Sequence, residues 1–458
     1  MLAVLLLGQF MCIIDVLVVN VAMPSIGTSL RASGASLQLV VGGYTIAYAM
    51  LLITGARLGD RYGRRRVYQA GVIVFTAASL ACALAPDSQL LIVFRFAQGA
   101  GAAALVPQVF SLIQLRFTGP ARARALSAYA AVLSAGAVAG LVLGGIVVSA
   151  NLFGLGWRPV FGINVPIGIA LALAVPRLIR PDEPGAAKRS RRLDLTGLLV
   201  AGPAVLLVVL PLVLGRETGW PAWSFGAIAA GVLLGVAFVL VERRTAVRGG
   251  DPLLNLDVLR APGLPSGLTA LAVTNLTYGG LLFAFTLYLQ SGLGDSALHA
   301  GVTYVPMAVA FGLVGYYWRR LPAGARGIVV PVGLTVTALA FLGIAAGVHD
   351  GTQGVSVKLT LAIVGLGLGL SVGPLLTQAL AHVPPARAAD ASGLLTTTVQ
   401  LSQLMGVTVL GSVYLSRAAV HPGAAMSGTA VWLAVLSVAG LPAALIMVRG
   451  VSRRSASS

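Results

Sequence analysis

Charge is scarce in this chain, and acid is scarcer still: 10% of its residues are charged, with 13 Asp or Glu against 31 Lys or Arg. A soluble domain carries about 25% charged residues, so the deficit excludes a surface built for water and points to a chain solvated by lipid. Cysteine is limited to Cys12 and Cys82, both inside apolar runs. That excludes a disulfide framework or a zinc site and leaves two small buried residues. The sequence offers no His, Asp and Glu cluster, no nucleophile constellation at a membrane face and no Walker-type phosphate loop, so enzyme chemistry and ATP-driven pumping find no support and no cofactor is expected. A basic leader region and a small-residue cleavage pattern are missing as well. The apolar run from Leu2 continues past Gln9 and Asp15 to Met23 and reads as a first membrane span, not a cleaved signal peptide.

What the chain does have is apolar length. A hydrocarbon core of about 30 Å needs roughly 20 helical residues per crossing, and 57% of the 458 residues are hydrophobic. Fourteen windows qualify: 2–22, 36–55, 67–86, 89–110, 124–149, 158–178, 195–214, 222–241, 264–289, 300–318, 327–347, 356–379, 392–414 and 426–447. The runs are continuous, not alternating, which favours helices over a membrane barrel. The fold expected is an all-α polytopic membrane protein with fourteen transmembrane helices.

The formal net charge of +18 does not mark a nucleic-acid binder, because the basic residues fall in short clusters between apolar stretches. If the first span runs outward from the cytoplasm, the cytoplasmic connections and the C-terminus hold 25 of the 31 basic residues. The remaining six are Arg31, Arg95, Arg158, Arg216, Lys358 and Arg417. This bias is what the positive-inside rule expects, and it places both termini in the cytoplasm. Two longer polar connections, 180–194 and 242–262, divide the chain into six, two and six spans: a first bundle over 1–180, loops and two additional helices over 181–262, and a second bundle with a short tail over 263–458.

Ionisable residues inside a membrane are costly and default to functional candidates. Away from their ends the predicted spans contain two, Asp15 and Arg95. Asp15 and Asn20 fall about 140° apart on one helix, so both can border a cavity without stacking. An acid there can take up and release a proton as its burial and neighbouring charge change; it can also serve structure alone, satisfied by Arg95 or by backbone. In Arg95-Phe96-Ala97-Gln98-Gly99-Ala100-Gly101-Ala102-Ala103, residues 95, 98 and 102 share one face while the small residues admit a close neighbour. The neutral polar residues Asn164, Asn275, Gln290, Gln378, Gln400 and Gln403 are candidates to line a cavity or to join helices. Glycine-rich stretches at 136–145 and 365–374 suit close packing and bending.

Between the second and third spans lies Gly55-Ala56-Arg57-Leu58-Gly59-Asp60-Arg61-Tyr62-Gly63-Arg64-Arg65-Arg66-Val67-Tyr68. It fixes sidedness, and Asp60 among arginines at a helix end suggests an ion pair that latches two helices in one conformation. This loop resembles the signature of the major facilitator superfamily, and Arg95 to Ala103 resembles that superfamily's fourth-helix motif. Asp15 to Pro24 is similar to the first-helix motif of the fourteen-span drug:proton antiporters, and Trp157 to Gly168 to their connection between the fifth and sixth helices. Tyr288-Leu289-Gln290 with Ala300-Gly301 and Pro306, and Ala391 to Leu394 with Gln400, extend the resemblance over nearly the whole chain.

The resemblance implies two six-helix bundles around a central cavity, with the seventh and eighth spans added, and export of lipophilic compounds driven by inward proton flow. It implies a latch of Asp60, Arg61, Gly63, Arg64 and Arg65 that stabilises the outward-open state, and proton coupling by Asp15 and Arg95. Asn20, Gln98, Asn164, Gln290, Gln378, Gln400 and Gln403 are the substrate-cavity candidates. Ala56 stands where the loop motif begins with Gly, Leu17 replaces the usual Thr, and Leu141 stands where the antiporter motif of the fifth helix often has Pro. The expected partners are a small lipophilic substrate, protons and membrane lipid, without nucleic acid, for a monomer in a bacterial plasma membrane. With no acid in the tenth span, a neutral, zwitterionic or weakly acidic substrate is expected. An importer or uniporter on the same fold, or a non-transporting receptor, is the alternative. The excess of 29 Arg over 2 Lys hints at a GC-rich genome and fits an antibiotic producer.

Overall fold

In a computed structural model of the chain, the described residues are 1–180, 195–214, 219–247, 256–348, 354–380, 383 and 388–455. They are helical throughout apart from short turns and connections. The helices are α1 (Leu2–Leu30), α2 (Gly34–Tyr62), α3 (Arg64–Leu84), α4 (Ser88–Arg116), α5 (Gly119–Ala150), α6 (Pro159–Gly162), α7 (Asn164–Leu178), α8 (Leu195–Leu214) and α9 (Ala222–Val247). They continue with α10 (Leu264–Leu287), α11 (Ala297–Thr303), α12 (Val305–Tyr317), α13 (Ala323–Arg326), α14 (Val329–Val348), α15 (Val355–Leu380), α16 (Ala388–Ala418), α17 (Pro422–Ala439) and α18 (Leu441–Ser455).

Local chemistry sets the joints. Ser33 caps α2 by accepting the Ser36 N–H at 3.1 Å, and Asp87 caps α4 by accepting the Leu90 N–H at 2.8 Å. Gly63, at φ 93°, is the single residue between α2 and α3. The arginine cluster is therefore a one-residue joint that only glycine enters without strain, followed directly by the first turn of α3. The sixth expected span is broken into α6 and α7 at Ile163. Pro166 lacks the N–H that would continue an α-helix from Gly162, and restarting at Asn164 places it in a first turn, where no such bond is needed.

Twelve segments of described residues are helical, long and apolar enough to cross a membrane. Helix coincides with each of the fourteen windows, but the apolar parts of α5 and α8 found among the described residues, Ala139–Ala150 and Gly202–Leu212, are shorter than a full crossing. Large apolar side chains such as Leu84, Leu173, Leu233 and Leu339 lie exposed on the helix surfaces, as lipid-facing residues do.

The chain forms two compact units, Met1–Leu253 and Leu254–Ser458. In the first, α2 and α3 both pack on α4, α1 packs on α5, and α8 pairs with α9 while leaning on α2. Its buried core runs through Leu5, Tyr68, Phe75, Leu105 and Leu112. Small residues allow these approaches: an added Cβ at Gly140 would lie 2.9 Å from Leu17 Cβ, and one at Gly144 3.1 Å from Val18 Cα. The glycine row of α5 is thus the seam against α1. In the second unit α10 packs on α16, α14 on α15, and α12 on α15, around Leu271, Leu334 and Leu375.

Candidate functional site

Asp15 sits midway along α1 with 1% of its surface exposed. An isolated ion at such a position costs far more than folding can supply, so its partners define the site. Arg95 Nη1 of α4 donates to Asp15 Oδ2 at 2.6 Å, and the same nitrogen donates to Gln98 Oε1 at 2.6 Å. Arg95 Nε donates to the Val40 carbonyl of α2 at 2.9 Å. The guanidinium also stacks 4.7 Å from the Tyr44 ring centroid and 5.7 Å from that of Phe161, so its faces meet aromatic quadrupoles.

Asp15 Oδ1 accepts from Gln98 Nε2 at 2.7 Å and from Asn164 Nδ2 of α7 at 2.8 Å. Gln98 Nε2 donates as well to Ser79 Oγ of α3 at 2.7 Å, and Ser79 donates on to the Phe75 carbonyl at 2.8 Å. Cys82 Sγ lies 3.9 Å from Gln98 Oε1. Five helices therefore meet at one carboxylate: α1 carries it, α4 supplies its countercharge, α2 anchors that cation, and α3 and α7 complete the hydrogen bonding. Three donors converge on this one carboxylate: Arg95 Nη1, Gln98 Nε2 and Asn164 Nδ2.

The two ionisable residues expected inside the membrane are thus brought into contact. Gln98 and Asn164, cavity candidates from the sequence, are fully buried members of the same network. Asn20 lies apart from it, its amide donating to the Val16 carbonyl of its own helix at 2.8 Å. In the second unit, Gln403 Nε2 of α16 meets Asn275 Oδ1 of α10 at 3.3 Å, a bridge between two closely packed helices. Gln378 donates to the Arg326 carbonyl at 2.9 Å near the end of α15. Gln290 and Gln400 are half-buried.

Of the latch candidates, the side chain of Asp60 lies outside the described residues. Gly63 makes the joint, Arg61 rests 5.4 Å from the Tyr62 ring centroid, and Arg65 Nη1 donates to the Ile179 carbonyl at 3.3 Å, joining the start of α3 to the end of α7. Arg64 is half-buried. The basic run 188–192 also lies outside the described residues.

Sequence reading missed Ser79, Tyr44 and the Val40 carbonyl, because a helical Ser or Tyr gives no sign of which neighbour it faces. It also placed Glu242 in a loop after the eighth span. In the structure α9 continues to Val247, and Glu242 is 1% exposed within the span Ala222–Thr245. Polar Glu-Arg-Arg at the end of an apolar run looks like a loop, but its helical propensity carries the helix onward. Among the described residues no group of three or more His, Cys, Asp or Glu is placed to hold a metal.

The family model for the Major Facilitator Superfamily matches residues 5–407. The chain is 37% identical over its whole length to the "Probable actinorhodin transporter" of Streptomyces coelicolor, covering 80% of that protein. It is 34% identical over 94% of its length to a cephamycin export protein of Amycolatopsis lactamdurans, covering 89% of it. Among solved structures, a bacterial homologue of the human lysosomal transporter Spinster, inward-facing and unoccupied, superposes with a TM-score of 0.70 at 20% identity, covering 99% of this chain and 97% of that one. This chain belongs to the Major Facilitator Superfamily. It is a multi-pass membrane transport protein whose relatives export antibiotics and drugs.

Proposed function

We propose that the chain is a proton-coupled exporter of small lipophilic compounds, working by alternating access with the proton gradient as its energy source and no cofactor. The observation that carries this reading is the buried Asp15–Arg95 pair, 2.6 Å apart and closed in by Gln98 and Asn164. Breaking such a pair leaves an uncompensated charge at a cost of about 3–5 kcal/mol. A proton arriving on Asp15 removes the unpaired anion and leaves the Arg95 cation to the Val40 carbonyl, Gln98 Oε1 and the Tyr44 ring, so proton binding and helix rearrangement favour each other. The cephamycin-exporting relative supports the direction of transport, and it and the actinorhodin transporter support a small-molecule cargo.

In this reading fourteen spans cross a bacterial plasma membrane with both termini cytoplasmic. Residues 1–180 and 263–458 form the two six-helix bundles, and 181–262 carry α8 and α9 as additional helices. The packing of α8 on α9 and on α2 supports their attachment to the first bundle. Arg61, Arg64 and Arg65 around the Gly63 joint, with Asp60, act as a conformational latch on the cytoplasmic side. The working unit is a monomer.

Inverted membrane vesicles with an imposed pH gradient test the reading, using a panel of neutral, weakly acidic and cationic aromatic dyes as probes. Uphill accumulation of at least one probe that vanishes when the gradient is collapsed is expected. Accumulation unchanged by collapse rules out proton antiport, and uptake only in right-side-out vesicles indicates an importer.

A further inference from the structure

The amide of Asn164 is half used. Its Nδ2 donates to Asp15 Oδ1 at 2.8 Å and approaches Ser79 Oγ at 3.5 Å, while its Oδ1 is buried with no hydrogen-bond partner. Asn164 is 1% exposed, and an unmet buried acceptor there carries a desolvation cost. The orphan oxygen belongs to the residue that also touches the carboxylate.

An ionised carboxyl only accepts, whereas a protonated one also donates. A proton placed on Asp15 therefore needs an acceptor within reach. Gln98 Oε1 already receives Arg95 Nη1, and Ser79 Oγ receives Gln98 Nε2 while giving its own hydrogen to Phe75. Asn164 Oδ1 is unspent. The nitrogen and oxygen of an amide sit on opposite sides of the same planar group, so a half-turn about the Cβ–Cγ bond exchanges a donor for an acceptor in nearly the same place.

Resting on the reading of Asp15 as the proton site, we propose that Asn164 is the positioning residue that senses that proton, donating to the Asp15 carboxylate and, turned over, accepting from the Asp15 acid. Because Asn164 opens α7 at the Gly162–Ile163 break, the proton state of α1 is relayed to the first turn of another helix. The titratable and charged groups that face Asp15 are Arg95 from α4, Tyr44 from α2, Cys82 from α3 and Cys12 from α1 itself, with Tyr129 of α5 beyond Cys12. None is on α6, and the ionisable residue of α7, Arg177, is in its last turn.

The test is labelling of Asp15 in the purified full-length protein by dicyclohexylcarbodiimide, which attacks protonated carboxyls, followed across pH by mass spectrometry of the Asp15 peptide. A bond to a carboxylate is about twice as strong as the neutral bond to the acid. Losing the amide therefore disfavours the ionised form more, and Asn164→Leu raises the labelling midpoint by about one pH unit. Asn164→Ala, which removes the same groups with less bulk, does likewise; Asn164→Ser, with a hydroxyl that both donates and accepts, falls between them and wild type. A midpoint in Asn164→Leu or Asn164→Ala equal to that of wild type overturns the proposal. Wild-type labelling that does not vary with pH overturns instead the reading of Asp15 as a proton site.

Discussion

The guanidinium of Arg95 lies 2.6 Å from the carboxylate of Asp15, a residue 80 positions earlier in the chain, and both are fully buried. Two helices are joined by a bond that is strong only while both groups stay charged. Further hydrogen bonds close the pair in: the Val40 carbonyl accepts from Arg95, while Gln98 and Asn164 donate to Asp15.

Arg95 uses its planar fork, with Nε on a backbone carbonyl and Nη1 on two side-chain oxygens. A lysine has one compact ammonium and cannot span these acceptors. Arg95→Lys is expected to lower gradient-driven transport at least about tenfold, the loss of 1.4 kcal/mol or more from one charged hydrogen bond. Arg95→Ala removes the countercharge altogether and is expected to cost about 3–5 kcal/mol of stability, read as a lowered thermal midpoint in detergent. Adding Asp15→Asn to Arg95→Ala removes the unpaired anion and recovers most of that loss.

The seam between α3 and α4 depends on Gly101, where an added Cβ would lie 2.6 Å from the Phe75 backbone nitrogen. Backbone cannot step aside as a side chain does. Gly101→Val is expected to force the two helices apart and cost about 1–3 kcal/mol, measured by thermal unfolding. Because Phe75 also accepts the Ser79 hydroxyl, the same substitution disturbs Gln98 and lowers coupling.

The six apolar spans of the second unit, from Leu264–Gly292 to Pro422–Val448, contain no Asp or Glu. A dication there lacks any carboxylate to meet it, and a bare cation in low dielectric is costly. Neutral or weakly acidic aromatic dyes are expected to be exported in preference to dicationic ones. Dye efflux from cells expressing the chain checks this, and preferential efflux of the dication would refute it.

Much of the fold is legible in the sequence because lipid imposes a simple requirement: long apolar runs become helices, and each expected window coincides with one. The pair Asp15 and Arg95 is legible for the same reason, since charge inside such runs stands out. The partners are harder to read. Gln98 and Asn164 are recognisable as polar residues in a membrane, yet whether they line a cavity or close a charge network depends on helix rotation, a tertiary property. Ser79 leaves no trace at all, because a serine bonded to its own helix carbonyl looks like any other. The break at Ile163 follows from Pro166, but the orphan oxygen of Asn164 appears only once α7 is set against α1.

Proton movement accompanying substrate movement tests the central claim most directly. In proteoliposomes holding a pH-sensitive dye, downhill flow of an exported probe through the wild type is expected to drive a counterflow of protons. Asp15→Asn is expected to pass the probe downhill with no proton signal. A variant that still moves protons in exchange for the probe, as wild type does, would contradict the assignment of the proton to Asp15.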